Sequence, residues 1–590
     1  TAKKVQDLAD RKHTVLKAVQ EQQQLTPDLQ KAIQSAETLQ IVEDLYLPYK
    51  QKRRTKAMVA RENGLQPLAD FVLLHVTTDI PSALYINDAL PTSEDVLAGL
   101  HEILAEQIGE NALYRQWLRT RMSTDGVLIS NIKRSGKEKD EQEVYEQYYD
   151  YNEPIKTLRD NKFRILAVNR GEKEGILSVK IDFTEARMIH FIQTKELKGQ
   201  PASGLGYVIL RAAIEDAYKR FIQPAVAREI RQELTTQAQE QAIKVFGDNL
   251  YHLLMQAPLK EKIVMGFDPG FRTGSKLAIV DGNGEFLKKQ VIYPHKPANA
   301  QQRHEAGEIF ESLIHEFDVQ LVAIGNGTAS RESEEFVAAH LPNGVQYAIV
   351  NEAGASVYSA SDAAREEFPD LHVEERSAIS IGRRIQDPLA ELIKIDPKSV
   401  GVGQYQHDLN AKSLDEQVDH VVETAVNQVG VNLNTASVAL LTHIAGLNKI
   451  LAQNIVTYRH ENGEFTSRTQ LRKVTRLGPK AFEQSAGFLR ILSGKNILDN
   501  TDIHPESYPA AKQLLELAHV TPQTLATQSA NDALTMLDKA DIADKLSIGM
   551  QTLHDVISSL QKPGRDGRSE MVGALLKSDI LHIEDLKAGM

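Results

Sequence analysis

Apolar residues recur at helical spacing through roughly the first 120 positions. Val5, Leu8, Val15, Leu16 and Val19 mark one stripe, and Thr92 with Asp95 makes a capping-box start for a helix near 93–108. From about residue 127 the period changes. Val127–Ile132 reads as a strand, Phe163–Val168 and Ile176–Ile181 flank Arg170-Gly-Glu-Lys-Glu-Gly175 as a hairpin, and the acidic, tyrosine-rich stretch Glu138–Tyr151 reads as an exposed helix or loop. Residues 207–256 keep an almost unbroken helical pattern, long enough at about 1.5 Å per residue to join domains. Pro224 is predicted to kink or divide it, because proline removes a helix hydrogen bond and crowds the preceding turn.

Residues 262–395 carry the most regular alternation. Ile263–Phe267, Leu277–Val280 and Phe286–Tyr293 read as three meandering strands, the last two joined by the turn Asp281-Gly-Asn-Gly284. A helix (301–316), a strand (Val319–Gly325), a helix (331–340), a strand (Gln346–Val350) and further helices follow. Meandering strands and then alternating helices and strands predict an α/β layer with a mixed sheet. The whole chain reads as multidomain, mainly α and elongated, with that one α/β domain. The expected segments are a helical domain (1–125), a mixed strand and helix part (126–206), connecting helices (207–258), the α/β domain (262–395), a linker and helix (396–430), tandem helical hairpins (431–495) and a C-terminal helical domain (496–590).

Composition narrows the chemistry. The 590 residues contain no cysteine, which removes disulfides, thiolate catalysis and cysteine-held metals, and favours a reducing compartment such as the cytoplasm. No apolar run is long enough to span a membrane. The net charge of −12 argues against a surface that binds polyanions everywhere. Cations are nevertheless clustered. Five of the seven residues Lys50–Lys56 are basic, among them Lys52, Arg53 and Arg54, and Lys449–Lys480 holds seven Lys/Arg against two acids. Either cluster could contact phosphates, although short basic stretches are also ordinary solvated surface.

The hairpin region carries the sharper signal. Ile444-Ala-Gly-Leu-Asn-Lys-Ile-Leu-Ala452 and, thirty positions on, Val474-Thr-Arg-Leu-Gly-Pro-Lys-Ala-Phe482 are two versions of one design: helix, apolar-glycine turn, basic residue, helix. This resembles the helix-hairpin-helix motif. Its turn brings backbone N–H groups close to a phosphate, and nearby cations add charge without reading bases. The candidate contacts are Gly446, Asn448, Lys449, Arg472, Lys473, Arg476, Gly478 and Lys480. Asn448 replaces the second glycine of the first copy and Arg476 the first glycine of the second; asparagine tolerates the left-handed backbone that such a turn needs. The bland alternative is a packed helical core.

Gly266-Phe-Asp-Pro-Gly-Phe-Arg-Thr-Gly274 and the strand order around it resemble the YqgF/RuvC-like branch of the RNase H-like fold. Active members of that branch cut nucleic acid with carboxylates around divalent metals, and the resemblance puts the first acid at Asp268. Asp387 and Glu391, four apart, would share a helix face where the last acid belongs. The second acid is missing: Ile324-Gly-Asn-Gly-Thr328 closes its strand with Asn326, and Glu332 and Glu352 are near in sequence without standing at a strand end. Magnesium would be needed only if this site were active. Gly270–Lys276 and Gly204-Leu-Gly206 fail as phosphate or dinucleotide loops on spacing and context. His407 beside Asp408 lacks a nucleophile.

Together with Glu43-Asp-Leu-Tyr-Leu-Pro-Tyr49, Gly325–Arg331, Val350–Tyr358, Gln386–Ala390, Gly401–His407 and Pro563-Gly-Arg565, these modules make the chain similar throughout to the Tex family of bacterial transcription accessory proteins. The resemblance implies a nucleic-acid-binding factor for RNA or DNA, independent of sequence, with RNA polymerase or other transcription proteins as further partners. It implies a monomer, no cofactor, and a scaffold role for a degenerate RNase H-like domain. A metal-dependent nuclease and a protein-docking platform are the alternatives. Family members continue into an RNA-binding barrel beyond Leu586–Met590 and begin further upstream, so truncation at both ends is expected.

Overall fold

The computed structural model describes residues 2–75, 79–197, 204–259, 261–403, 405–492, 494–521, 524–525, 527–546, 548–562, 568 and 576–577. Pro563-Gly-Arg565 and the chain end lie outside the described residues. Two compact units divide the chain, 1–242 and 243–590, and most residues in helices or strands are helical. Among the described residues no helix is long and apolar enough to cross a membrane.

In the first unit, Thr92 caps the Ser93–Gly109 helix, with the reciprocal Thr92–Asp95 bonds of a capping box. Three antiparallel strands, β1 (Val127–Ile132), β2 (Asp150–Pro154) and β3 (Leu177–Asp182), form a sheet in the order β2-β1-β3. The hairpin expected at 163–181 is wrong in its first half. Phe163–Lys173 is a helix burying Ile165, Leu166, Ala167 and Val168 in succession, which a two-sided strand with one wet face would not do. Gly171 lies where a Cβ would meet the Leu177 side chain at 2.6 Å, so the helix packs directly on β3. Glu138–Tyr151 is largely exposed, as expected, and is held down at Asp140, Tyr145 and Tyr148. Asp140 accepts the N–H groups of Val144 and Tyr145 and the Tyr149 hydroxyl, and Tyr145 and Tyr148 are buried. Pro224 does not divide the long helical pattern. Leu205–Asp216, a π turn at Ala217–Ile222 and Gln223–Leu254 follow without a break, and the widened turn sits just upstream of the residue that lacks an N–H.

The second unit opens on a five-stranded mixed sheet: β4 (Val264–Asp268), β5 (Ser275–Val280), β6 (Phe286–Ile292), β7 (Leu321–Gly325) and β8 (Gln346–Val350), in the order β6-β5-β4-β7-β8. β4, β5 and β6 pair antiparallel; β7 and β8 join parallel to β4. One face buries Phe267, Phe310, Val322 and Ile324 beneath the helices Ala300–Glu316 and Ser330–His340. The other buries Val264, Val280, Ala378 and Ile381 beneath the helix Val373–Gln386. A Cβ on Gly266 would collide with the Ala378 carbonyl, so this helix lies almost on the β4 backbone. Ala411–Val429 then buries Leu414, Val418, Val422 and Val426 along one stripe and leads into the hairpins.

Candidate nucleic-acid interface

The two hairpins are structural repeats at a spacing of thirty residues. In the first, Val438–Thr442 and Lys449–Asn462 flank the turn; in the second, a 3-10 segment Arg468–Lys473 precedes the helix Pro479–Ser485. Leu447 N–H bonds Ile444 O at 3.0 Å and Leu477 N–H bonds Val474 O at 3.1 Å; Ala452 and Phe482 then repeat the same bond to Asn448 O and Gly478 O. The left-handed residues are Gly446, with φ +81°, and Arg476, with φ +65°. Asn448 corrects the sequence reading: it is extended (φ −129°) and caps the helix, its side chain accepting Leu451 N–H at 3.0 Å. Gly478 holds the equivalent cap position.

Packing between the copies is reciprocal. Asn454 Nδ2 donates to Thr475 O, in the second turn, at 2.8 Å. Its counterpart thirty residues on, Gln484, lies against the first turn, where a Cβ on Gly446 would sit 2.5 Å from the Gln484 Cβ. Each turn is therefore held by the second helix of the other copy, an approximate two-fold arrangement. Lys449, Lys473, Arg476 and Lys480 are exposed, and among the described residues they form no ion pair. Arg472 lies over the Phe482 ring, 4.5 Å from its centroid. Two other cations of the cluster are structural: Arg459 donates to Leu433 O and Ala436 O, and Arg468 is wholly buried among carbonyls. A further helix pair, missed in the sequence, joins Lys539–Leu546 to Met550–Gln561 with Gly549 at the cap, where Leu553 N–H bonds Gly549 O at 3.0 Å.

The basic segment at 50–56 is not a free patch. Lys52 Nζ contacts Glu106 Oε1 at 3.3 Å and also Glu110, Arg54 pairs with Glu62 at 2.7 Å, and Lys56 with Glu102 at 3.7 Å. Arg53 alone of the three named candidates there stays exposed without an ion pair among the described residues. Lys52 and Lys56 anchor the loop to the Ser93–Gly109 helix, whose Glu106 is buried.

Asp268 ends β4 and faces Ser377, Glu352, Lys276 and Glu374. Burial, opposed by a hydrogen bond from Ser377 and reinforced by the Glu352 charge, pushes its carboxyl up to about 6. Asp387 and Glu391 are not brought to it. Gln386, next to Asp387, donates to Lys262 O and Asp281 O at the opposite end of β4 and β5. The helix stops before Pro388, and Asp387 (ψ 92°) caps the next one, Pro388–Leu392, while receiving both Arg568 terminal nitrogens at 2.7 and 3.1 Å. Glu391 is buried and pairs with Lys394 at 2.9 Å. The spacing of four therefore crosses a break and makes no common helix face.

The acid nearest the expected second position is Glu352, just beyond β8. Asn326 Oδ1 accepts its N–H at 3.0 Å, and its carboxylate fills the space left by Gly325 and Gly327, where any Cβ would collide with it. Those two glycines are the signal in the sequence that room was kept for a neighbouring group. Glu374 is paired with Lys276 at 3.0 Å. With a lysine inside the group and no three His, Asp or Glu side chains converging among the described residues, the donors do not fit the divalent pair the RNase H-like fold implies.

The raised carboxyl makes a pH prediction. In the unfolded chain Asp268 titrates near 3.8, in the folded chain near 6. The folded form thus holds the proton more tightly, and stability falls as pH rises from about 4 to about 6 and stays lower above. Asp268→Asn removes that penalty, so the variant should be up to about 3 kcal/mol more stable than the parent at pH 8 and close to it near pH 4. Thermal melts at both pH values check it; equal melts at pH 8 would contradict the buried, crowded carboxylate.

Comparisons with known proteins cover these modules. The Tex protein YqgF-like domain matches residues 262–386, a Tex central region-like model 78–246, a helix-hairpin-helix motif 426–490 and an HHH domain 496–568. The transcriptional accessory protein Tex of Neisseria gonorrhoeae is 42% identical over 99% of this chain and 77% of its own length. The uncharacterized protein YdcI of Bacillus subtilis is 49% identical over 99% of the chain and 82% of its own. The S1 RNA-binding domain-containing protein 1 of Homo sapiens is 34% identical across the whole chain and 66% of its own length.

Proposed function

The chain belongs to the Tex family of transcription accessory proteins, and on that premise we propose that it grips nucleic-acid backbones without regard to sequence, in the bacterial cytoplasm, using its RNase H-like domain as a scaffold. The observation that carries this reading is the reciprocal pair of hairpin turns flanked by the exposed Lys449, Lys473, Arg476 and Lys480. Both turns belong to one rigid pair, so two phosphate-binding positions are presented at a set separation. The positive end of the Lys449–Asn462 helix and flexible lysines supply attraction that no base edge modulates. The net negative charge elsewhere discourages the polyanion from other surfaces.

The scaffold part rests on the Asp268 neighbourhood. A carboxyl near 6, a lysine among the acids and Asn326 at a strand end make a poor magnesium cage. A salt-titrated panel of single- and double-stranded DNA and RNA tests the first part: affinities should be similar across sequences, with log K falling linearly against log salt. Incubation of the same panel with magnesium or manganese tests the second, and no cleavage is expected. Robust cutting that Asp268→Asn abolishes would replace the scaffold with a nuclease.

A further inference from the structure

The two hairpin turns share a backbone and differ in chemistry. A shift of thirty positions sets residues 442–450 on residues 472–480. The second stretch carries four Lys/Arg and no acid; the first carries Lys449 alone. Arg472 and Lys473 correspond to Thr442 and His443. Arg476 corresponds to Gly446, and Lys480 to Ile450. All four cations of the second turn are exposed.

The surroundings deepen the contrast. His443, at the first turn, adds no charge near pH 7, because burial pushes its imidazole down against the pull of Asp419 and Glu423. Those two acids are exposed on the Ala411–Val429 helix. Asn427 fastens that helix to the first turn, its Oδ1 accepting Ala445 N–H at 3.2 Å and its Nδ2 donating to His443 O at 3.3 Å. On the second side, the short Pro479–Ser485 helix has one acid, Glu483. One turn is therefore strongly cationic, and the other carries a single lysine with carboxylates behind it.

Ile450 is the other half of the asymmetry. It is 56% exposed beside Lys449, whereas Leu451 and Ala452, which follow it, are buried. An exposed isoleucine gains nothing from a phosphate. It is stabilised against the apolar faces of sugars and bases, which a stacked duplex keeps covered and an unpaired strand displays. A two-fold protein pair matches a continuous duplex when both halves present the same groups, because the two strands are themselves related by two-fold symmetry. Here the backbone keeps that symmetry and the side chains break it. The fitting ligand has two unlike arms, one dense in phosphate and one with uncovered nucleotides.

Resting on the backbone-binding reading above, we propose that the hairpin pair recognises the junction where a duplex passes into a single strand. Arg472, Lys473, Arg476 and Lys480 lie on the duplex phosphates, and Ile450 lies against the first unpaired nucleotides. The second turn then supplies most of the salt dependence, and Ile450 supplies the preference for the junction.

Fluorescence anisotropy with the full chain tests this on three labelled probes of one sequence: a blunt duplex, its single strand, and the duplex with a single-stranded extension. The tailed duplex should bind about tenfold tighter than either of the others. Ile450→Ala should remove most of that preference without lowering the salt slope, since no charge is lost. Ile450→Lys restores the charge match with Lys480; it should raise affinity for the blunt duplex about fivefold and abolish the preference. Arg476→Gly, at a left-handed position that glycine adopts freely, should lower the slope by about 1. Leu287→Ala, a truncation of an exposed apolar side chain on β6, should change none of these readings. No binding of any probe would overturn both this proposal and the backbone-binding reading. Salt-dependent binding equal across the three probes would leave that reading and overturn this proposal. A tail preference undiminished in Ile450→Ala would also overturn it, and would leave Ile450 to a protein partner.

Discussion

Replacing Lys449, Lys473 and Lys480 together by alanine should cut nucleic-acid affinity about a hundredfold at low salt, equally for every sequence, and lower the slope of log K against log salt by about 2 to 3. The slope follows from counterion release, each phosphate contact contributing about 0.9 on duplex DNA and 0.7 on single strands. The affinity figure follows from about 1 kcal/mol per exposed charge contact. All three side chains are exposed, and among the described residues none is committed to an ion pair, so the fold should be unaffected and melts should coincide with the parent. Lys449 opens the second helix of the first hairpin and Lys480 stands one residue further into that of the second, so the loss samples both turns. Replacing Lys52 and Arg54 instead should leave the slope unchanged, because Glu106, Glu110 and Glu62 already hold them. An unaltered slope in the triple variant would remove the hairpins from the interface.

The contrast between those two basic clusters shows what a sequence discloses. The hairpins were legible because their determinants are local: an apolar turn, a cap residue and a repeat thirty positions apart lie within one stretch of chain. The neutralisation of Lys52 was not, since its partners stand more than fifty residues away on another helix. The mixed sheet at 262–350 was legible from strand length, turn chemistry and alternation, and its five strands fall where the reading placed them along the chain. The Phe163–Lys173 helix was misread because a short apolar run has no period of its own, and only Gly171 packing on Leu177 decides it. Asp387 was misplaced despite a visible cue: Asp-Pro is a cap followed by the first residue of a new helix, so spacing across it carries no facial meaning. Glu352 could be recognised only once β7 and β8 were set side by side in parallel. The later helix pair escaped because its turn lacks the double glycine and relies on Gly549 alone.

The largest loss of stability should come from Arg468→Ala. This guanidinium is fully buried where the hairpin pair meets the C-terminal helices. Its Nε donates to Leu489 O, Nη1 to Ile503 O at 2.8 Å and to the Tyr508 hydroxyl at 2.9 Å, and Nη2 to Thr501 O. Tyr508 in turn donates to Asp499 at 2.7 Å, so one side chain closes a network across four segments. Burial pushes the guanidinium down from its usual value, and nearby Tyr508 and Asp499 act against that shift. Alanine leaves a cavity and at least three buried carbonyls without donors, each costing about 1 to 3 kcal/mol. Incomplete relaxation and water entry reduce the sum, and about 4 kcal/mol is expected, a fall of roughly 5 °C or more in Tm for a unit of this size. Arg468→Lys should recover only part of it, because an ammonium cannot reach carbonyls on both edges of the guanidinium plane. Below the melting point both variants should bind nucleic acid with the parent salt slope, since this cation never reaches the surface. A stability loss under about 1 kcal/mol, or a reduced slope in the folded variant, would show that Arg468 faces the ligand and not the core.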